Sequence, residues 1–498
     1  MTPRATDALV PGPIRGSIDE ARDERHDLAI IGGGIYGIAA LLEASRRGLR
    51  ALLIERDDFG GGTSWSSHRI IHGGLRYLQS LDVVRFKESV RERRWFVETF
   101  PEHVQPLECL VPLPGKGTRR PTLFRCASIM NNTLKSFFGG TSDRLGGASV
   151  VGRDEFGRSV PEADTAGVLA AGRWEDGLMS SSERVKICML RAACDLGGRA
   201  IAGTRVEAIE SEGGRVSALR CTVPDGRDVV IRCDRVLNCA GPASGEVGAM
   251  LGGDHAPLFR PIRAFNVLLD IDAGFGSAVA LTSRAADDRM LFIVPSDAGL
   301  AVGTWEERYD GERVVSRASV ERLLSAARDV LKRDDLTIDR VSAVWSGLLP
   351  RDSGGKDAPS DRPVVVDHGR AGGLSGGVSI SGVKYTTARL VAERGIALAG
   401  FGDRPAKPVG PIADPIDRSA WRACPPDPEW LADAVHTMRS DEAAATVDDV
   451  VRRRTTWYAS PSAARGRAVE IGAAFGLGED EAVEAVEASL GLATAMRG

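Results

Sequence analysis

The chain has 498 residues, which at about 150 residues per domain favours two or three packed units. Its 43% hydrophobic and 27% charged residues match ordinary globular proteins and exclude a disordered or fibrous chain. The formal net charge is −4 and no long basic block occurs, so no nucleic-acid partner is expected.

The start of the chain is polar and charged and contains Pro11 and Pro13. It has no apolar core of the kind that a signal peptide needs, and no later stretch approaches the roughly 18 apolar residues of a membrane span. We therefore predict a flexible leader over residues 1–26. The expected location is cytoplasmic, with any membrane contact peripheral and at the inner face.

A βαβ unit is predicted directly after the leader. Residues 27–34 form an Ile-rich run that ends in three glycines, which is typical of a buried parallel strand entering a tight turn. Residues 35–47 are good helix formers, and the apolar run 49–55 predicts the second parallel strand.

The glycines of this unit indicate a dinucleotide site. Gly32, Gly34 and Gly37 satisfy the pattern G-x-G-x-x-G between a strand and a helix. Glu55 ends the next strand, where an acidic side chain accepts hydrogen bonds from a ribose hydroxyl. The free N–H groups at the helix N-terminus would face the pyrophosphate.

The rest of the chain predicts a discontinuous nucleotide domain with an insertion. A strand pattern over residues 235–242 again ends in Gly-Pro, and short β-type runs over about 256–350 predict an inserted, mainly antiparallel sheet that forms a wall of a substrate pocket. Prolines are dense over residues 404–429, which predicts a linker. Apolar residues at helical spacing over 425–498 predict a small helical domain.

The eight cysteines contain no C-x-x-C pair. This spacing argues against a zinc ribbon or a dithiol redox motif, so no metal site is predicted. Reduced, mostly buried thiols are expected instead.

Several short motifs together resemble one enzyme family. After the βαβ unit the chain contains Thr63-Ser-Trp-Ser-Ser67 and Ile71-His-Gly-Gly-Leu-Arg-Tyr77. Later strings are Asn238-Cys-Ala-Gly-Pro242, Gly303-Thr304, Trp345-Ser-Gly347, Gly382-Val-Lys-Tyr-Thr-Thr387 and Thr446-Val-Asp-Asp-Val-Val-Arg-Arg-Arg-Thr455. From about residue 27 to 457 the chain resembles the FAD-dependent glycerol-3-phosphate dehydrogenase family, within the D-amino-acid-oxidase-like flavoprotein superfamily.

The resemblance implies FAD, bound in extended form and without a covalent link, in an oxidoreductase domain over residues 27–405. The fold class is then α/β, with a Rossmann-like FAD-binding domain, an inserted mainly antiparallel β substrate domain and a small C-terminal α-helical domain. The FAD-binding segments are expected at about 27–113, 185–255 and 360–405. The implied cofactor-binding residues are Gly32, Gly34, Gly37, Glu55, Thr63, Ser64, Ser67, His72, Gly73, Gly241, Gly382, Lys384 and Thr386.

The implied reaction is hydride transfer from a small hydroxylated, anionic substrate to flavin, with oxidation of glycerol 3-phosphate to dihydroxyacetone phosphate as the default. Arg76 and Lys384 match catalytic positions of the family. The substrate contacts implied by matching or neighbouring positions are Arg76, Tyr77, Arg263, Asn266 and Lys384. His72 is interpreted as a residue of the flavin loop rather than as a base, because a single histidine in a glycine loop is more often structural.

The chain departs from the family pattern in the substrate pocket. Leu349 stands where the family has an arginine, and a second expected arginine falls near Asp367. Asn266 lies near an expected histidine and cannot act as a general base near neutral pH. These departures predict weaker phosphate binding, unless Arg351 or Arg362 supplies the anchor. A different hydroxy or amino substrate on the same fold, or a flavin-binding protein without turnover, stays as an alternative.

The sequence also carries expectations about partners. The electron acceptor is expected to be a quinone or oxygen. The segment 115–138 is basic and apolar and contains no acidic residue, which predicts either a membrane-contacting surface or a core-packed helix with a basic outer face. A homodimer is a further expectation.

Overall fold

The computed structural model describes residues 8–75, 77, 82–117, 119–138, 145–255, 257–296, 298–312, 314–351, 358–360, 362–417, 428–494 and 496–497. Its strands are β1 (Arg25–His26), β2 (Leu28–Ile31), β3 (Ala51–Ile54), β4 (Ile70–Ile71), β5 (Val104–Leu113), β6 (Ser149–Gly152), β7 (Ala170–Met179), β8 (Arg199–Ile201), β9 (Arg205–Glu212), β10 (Arg215–Thr222), β11 (Asp228–Cys233), β12 (Val236–Asn238), β13 (Pro261–Leu269), β14 (Ala278–Ser283), β15 (Arg289–Ser296), β16 (Gly299–Arg308), β17 (Val315–Ser316), β18 (Val341–Pro350), β19 (Val364–Asp367), β20 (Gly377–Ser381) and β21 (Met496–Arg497).

Helices connect and cover these strands. The α-helices are Ile18–Asp23, Ile35–Arg46, Val83–Thr99, Pro121–Phe138, Arg153–Ser159, Ser182–Asp195, Ser244–Leu251, Arg317–Leu331, Ala388–Ile396, Pro428–Ser440, Pro461–Arg465, Ala468–Ala473 and Glu479–Thr494. Short 3₁₀ turns are Thr63–Ser66, Gly241–Ala243, Arg284–Ala286, Ile338–Arg340 and Trp457–Ala459, and π-helical turns are Ala397–Phe401 and Asp449–Arg454.

A six-stranded sheet in the order β19-β20-β12-β2-β3-β8 forms the nucleotide domain, and only β19 runs antiparallel to its neighbour. Every residue of β2 and β3 is buried, because the sheet is covered on both faces. Helix Ile35–Arg46 follows β2 directly and packs on β3, which confirms the predicted βαβ unit.

A second, mainly antiparallel sheet has the order β18-β13-β16-β15-β14-β5-β7-β4, with β6 also paired to β7. The sequence predicts the start of this sheet at about residue 256 and assigns residues up to 113 to FAD binding. The structure differs, because β5 pairs along its whole length with β7 and so belongs to the second sheet. The sheet that β5 joins therefore depends on a pairing partner about 65 positions further along the chain.

The sequence predicts a flexible leader over residues 1–26. For the described residues 8–26 this prediction is wrong, because they make specific contacts with the rest of the fold. The Leu9 backbone N–H donates to the carbonyl of Pro411 at 2.9 Å, and that of Gly12 donates to the carboxylate of Asp195 at 2.9 Å. Helix Ile18–Asp23 is capped by Ser17, and β1 extends a four-stranded sheet in the order β1-β11-β10-β9. The segment stays in place because its polar groups find partners on distant parts of the chain.

The C-terminal helices pack into one hydrophobic core that also contains Trp65 and Trp345 of the oxidoreductase domain. A buried ion network joins the same parts of the chain. Arg184 bonds the carboxylate of Asp414 at 2.6 Å and that of Glu442 at 2.6 Å. The C-terminal unit is thereby anchored to helix Ser182–Asp195.

Helix Pro121–Phe138 buries Phe124 and Ala127 in a core cluster, while Arg125 and Ile129 are exposed. This half of the helix therefore packs on the core and exposes one basic and one apolar side chain. None of the helices among the described residues is long and apolar enough to cross a membrane.

Candidate functional site

A cavity of about 1820 Å³ lies between the two sheets. It is larger than the roughly 300–1,000 Å³ of a pocket for a single small molecule. The predicted site residues that line it are Gly32, Gly34, Glu55, Thr63, Ser64, Ser67, His72, Tyr77, Gly241, Arg263, Asn266, Gly382, Lys384 and Thr386. The structure therefore brings together residues that are more than 300 positions apart in sequence.

The glycine turn after β2 is built by close backbone contacts. Gly32 has a φ of 106°, and a Cβ there would lie 2.7 Å from the carbonyl oxygen of Cys239. A Cβ on Gly37 would lie 1.8 Å from the carbonyl oxygen of Gly32. Gly37 does not line the cavity, so its part in the motif is to let the helix pack against the turn.

Glu55 closes this turn from the end of β3. Its Oε2 accepts the N–H of Gly33 at 2.5 Å and its Oε1 accepts the N–H of Asp57 at 2.9 Å. Burial raises the pKa of Glu55, against the effect of these two N–H groups. Each carboxylate oxygen keeps a second lone pair that can accept a hydrogen bond from a hydroxyl group in the cavity.

The loop 58–68 forms one wall and is held at several points. Ser64 accepts the N–H of Ile35 on its Oγ at 2.9 Å, and its carbonyl accepts the ammonium of Lys186 at 2.8 Å. Burial lowers the pKa of Lys186 to about 8. Thr63 exchanges hydrogen bonds with the backbone of Leu348 at 2.9 and 3.0 Å, which ties the loop to β18.

The C-terminal unit also holds this loop, through contacts that no local sequence pattern predicts. The carboxylate of Asp58 accepts Arg453 Nε at 2.7 Å and both terminal nitrogens of Arg454 at 2.8 and 2.7 Å. The indole N–H of Trp65 donates to the carbonyl of Arg452 at 2.9 Å. Arg452 and Arg453 themselves line the cavity.

His72 and Asp176 form a pair at the cavity. The ring nitrogen Nδ1 of His72 lies 3.0 Å from Oδ2 of the buried Asp176, while 52% of the His72 side chain is exposed. Asp176 also accepts the N–H of Gly73 at 2.7 Å and an N–H of Arg93 at 3.2 Å. Burial alone would raise the pKa of Asp176, but the His72 hydrogen bond and these partners lower it to about 2.

The pair fixes which nitrogen of His72 can accept a proton. An ionised carboxylate only accepts hydrogen bonds, so Nδ1 carries the hydrogen and Nε2 keeps a free lone pair in the neutral ring. Nδ1 faces the buried carboxylate, and the half-exposed side chain lines the cavity. The Thr386 hydroxyl accepts the backbone N–H of His72 at 3.1 Å, which holds the residue in place.

His68 and Asn266 form a second, more deeply buried pair. His68 Nδ1 lies 2.7 Å from the Asn266 amide oxygen, which also accepts the hydroxyl of Thr304 at 3.0 Å. Burial lowers the pKa of His68 to about 4, against the effect of the Asn266 hydrogen bond. His68 is therefore neutral near pH 7 and helps to hold Asn266.

The family of the chain is settled by comparison with known proteins. A family model described as FAD dependent oxidoreductase matches residues 27–394. The chain belongs to this family of FAD-dependent oxidoreductases.

Curated relatives of this FAD-dependent oxidoreductase have related names. The chain is 28% identical over 415 residues to a glycerol-3-phosphate dehydrogenase of Synechocystis sp., covering 80% of this chain and 74% of that protein. It is 30% identical over 403 residues to a glycerol-3-phosphate dehydrogenase of Mycobacterium leprae, covering 79% of this chain and 66% of that protein. An alpha-glycerophosphate oxidase of Streptococcus pyogenes is 27% identical over 68% of this chain and 56% of its own length.

Solved structures show the same fold. The glycerol-3-phosphate dehydrogenase of Bacillus halodurans complexed with FAD has a TM-score of 0.70 at 19% identity, covering 96% of this chain and 97% of that one. An FAD-bound L-alpha-glycerophosphate oxidase of Mycoplasma pneumoniae has a TM-score of 0.57 at 15% identity, covering 78% and 99% of the two chains. These likenesses confirm the predicted fold class.

The residues of the cavity fit FAD, the cofactor of this family. A Cβ added to Gly62 or Gly241 would meet no other atom within 4 Å, so the space beside both residues is open. Gly241 also has a φ of 54°. The Ser67 hydroxyl oxygen is buried without a hydrogen-bond partner among the described residues. A bound polar ligand would satisfy it.

Two predicted cofactor or substrate residues have other contacts in this FAD-dependent oxidoreductase. Gly73 does not line the cavity, and its N–H is used by Asp176. Arg263 lines the cavity, but its guanidinium pairs with Glu307 at 3.3 Å and Asp310 at 2.8 Å. Its charge is compensated within the protein, which argues against the predicted role as an anion ligand.

Lys384 and Tyr77 meet at the cavity, where the Lys384 ammonium lies 4.4 Å from the centre of the Tyr77 ring. Arg76, predicted as catalytic, lies outside the described residues. The roles of Arg76, Tyr77 and Lys384 stay predictions.

The positions at which the chain departs from the family pattern do not all lie at the cavity. Leu349 lines the cavity, whereas Arg351, Arg362 and Asp367 do not. Asp367 instead pairs with Arg370 at 3.3 Å. Among the described residues, neither alternative arginine reaches the wall that Leu349 occupies.

Proposed function

We propose that this FAD-dependent oxidoreductase oxidises the secondary alcohol of a small anionic substrate, with glycerol 3-phosphate to dihydroxyacetone phosphate as the reaction. The names of the curated relatives support this substrate. The chain spans between 56% and 74% of the length of those relatives, so the reaction is carried over as a proposal. Bound FAD would supply the hydride acceptor.

The observation that carries the proposal is the His72–Asp176 pair. Oxidation of an alcohol releases a hydride from carbon and a proton from oxygen, and the proton needs an acceptor. His72 lines the cavity, and Nε2 is the ring nitrogen that Asp176 does not occupy. The buried carboxylate of Asp176 would stabilise the imidazolium that forms, and it orients the ring beforehand.

This assignment differs from the sequence interpretation, which places His72 in a flavin loop without a role as a base. A glycine loop gives no sign of a carboxylate partner 104 positions away. His68 is the poorer candidate, because burial lowers its pKa to about 4 and its Nδ1 partner, Asn266, is a neutral amide that would not stabilise an imidazolium by charge. Lys384 and Tyr77 remain the proposed contacts of the substrate.

Anaerobic bleaching of the bound flavin tests the proposal. Glycerol 3-phosphate should bleach the flavin of the purified protein, whereas glycine and proline should leave it oxidised. His72→Gln should slow the bleaching on the order of 10²–10⁴-fold while FAD stays bound. His436→Gln changes an exposed histidine of helix Pro428–Ser440 and serves as the matched control.

Two outcomes would contradict the proposal. Bleaching by an amino acid and not by glycerol 3-phosphate would support the alternative of amine oxidation. Equal bleaching rates in His72→Gln and His436→Gln would remove His72 as the proton acceptor.

A further inference from the structure

The cationic side chains that line the cavity differ in their partners. Most guanidinium groups there are paired with carboxylates. The pairs are Arg56 with Asp57, Arg205 with Glu207, Arg263 with Glu307 and Asp310, Arg452 with Asp448, and Arg453 with Asp58. Each of these arginines therefore has a carboxylate within ion-pair distance that compensates its charge.

Arg119 is different. It lines the cavity and is half-buried, and its Nη1 donates to the hydroxyl of Thr282 at 2.6 Å. No carboxylate of the described residues lies within ion-pair distance of it. A partly desolvated guanidinium with one neutral partner keeps donors and a full charge for an anion.

Arg119 is also positioned by the fold. It lies two residues before helix Pro121–Phe138, whose Phe124 lines the same cavity. Thr282 belongs to β14 and pairs with Met290 of β15, and both side chains line the cavity. The sheet therefore holds the guanidinium on a rigid wall rather than on an open surface.

His72 contacts the same wall of the cavity through Phe292. The His72 ring lies 5.7 Å, centre to centre, from the ring of Phe292, which is two residues along β15 from Met290. Two residues of a strand span about 7 Å. His72 and Arg119 therefore both contact the wall of the cavity that β14 and β15 form.

We propose that Arg119 binds the anionic group of the substrate. The inference rests on the proposed function, because it assumes that the alcohol lies at His72. It also gives a substrate role to the basic segment 115–138. Leu349, on β18, lies four strands away from β14 in the sheet order, or about 19 Å at the usual strand spacing. The cationic wall is therefore opposite the one that the family pattern indicates.

Arg119→Gln tests the proposal, with Arg120→Gln as the matched control. Arg120 is the next residue, is exposed and does not line the cavity. Inorganic phosphate is titrated calorimetrically into each FAD-loaded protein, and acetate is titrated separately to test a carboxylate. Steady-state rates are measured with glycerol 3-phosphate and with uncharged glycerol.

We expect Arg119→Gln to abolish phosphate binding and to raise the KM for glycerol 3-phosphate about ten- to hundred-fold, with kcat within about threefold. The rate with glycerol should not change, and Arg119→Lys should recover part of the affinity. Binding of acetate in place of phosphate would keep the anion site and make the substrate a carboxylate.

The outcomes separate this inference from the proposed function. Unchanged KM and phosphate binding in Arg119→Gln would overturn the inference and leave glycerol 3-phosphate oxidation intact. Phosphate binding that depends on Arg119 in a protein that does not oxidise glycerol 3-phosphate would keep the anion site and overturn the substrate. Failure of the unsubstituted protein to bind phosphate or acetate at millimolar concentration would overturn the inference.

Discussion

Asp58 carries the ion pairs through which the C-terminal unit holds the loop 58–68, and Asp58→Asn tests that role. The substitution keeps the shape of the side chain and removes its charge. It affects three hydrogen bonds, one from Arg453 and two from Arg454, at 2.7 to 2.8 Å. Arg454 is fully buried and keeps hydrogen bonds to the carbonyl of Glu442 at 3.2 and 2.7 Å.

The expected loss of stability follows from the burial of the ion pair between Asp58 and Arg454. Removing one partner of a buried ion pair costs about 3–5 kcal/mol, because the other charge stays in place without compensation. Since Glu442 still accepts two bonds, the lower end applies and we expect a loss of about 3 kcal/mol. The neighbouring Asp57 is 77% exposed and pairs with Arg56, so Asp57→Asn should change stability by less than about 1 kcal/mol.

Urea unfolding measures the difference, with tryptophan fluorescence as the probe. Trp65 and Trp457 lie in the core shared by the two parts of the chain and report its loss. FAD retention on a desalting column should fall with Asp58→Asn, because Asp58 ties the loop 58–68 of the cavity wall to Arg453 and Arg454. It should not fall with Asp57→Asn, because Asp57 is exposed and pairs with Arg56. Equal unfolding midpoints of the two variants would refute the reasoning, as would full FAD retention in Asp58→Asn.

Acidification provides an independent check. Burial raises the pKa of Asp58, but the charges and hydrogen bonds of Arg454 and Arg453 outweigh this and lower it. A carboxyl with a lowered folded-state pKa stabilises the protein above its unfolded pKa, and this contribution is lost as pH falls through the folded value. The difference in stability between the unsubstituted protein and the Asp58→Asn variant should therefore shrink in strong acid.

Three further predictions concern the cavity. Glu55→Ala should weaken FAD binding by about 1–3 kcal/mol in a flavin-release titration, and unchanged affinity at equal stability would remove Glu55 as the ribose ligand. Because burial lowers the pKa of His68 from an ordinary 6.5 to about 4 in the folded protein, stability should rise with pH between these values by up to about 3 kcal/mol, and His68→Gln should lose this pH dependence in urea unfolding. Acid precipitation should release the flavin into the supernatant, whereas colour in the pellet would show a covalent link.

The sequence by itself determined the nucleotide-binding unit. The turn of Gly32, Gly34 and Gly37 depends on steric limits that act over a few residues, so its pattern is readable without a structure. The strand and helix around it are apolar runs with a clear periodicity. For the same reason the helical C-terminal segment could be predicted from residue spacing alone.

The partners of the site residues were decided by the tertiary structure. Asp176 is 104 positions from His72, Thr282 is 163 from Arg119, and Arg454 is 396 from Asp58. No local pattern connects such pairs, because they meet only when separate strands and helices pack. The same holds for residues 8–26, whose polar composition predicts flexibility although their partners lie on distant strands and loops. Local backbone conformation is determined by neighbouring residues. Charge compensation depends on which distant groups the fold brings within hydrogen-bond distance.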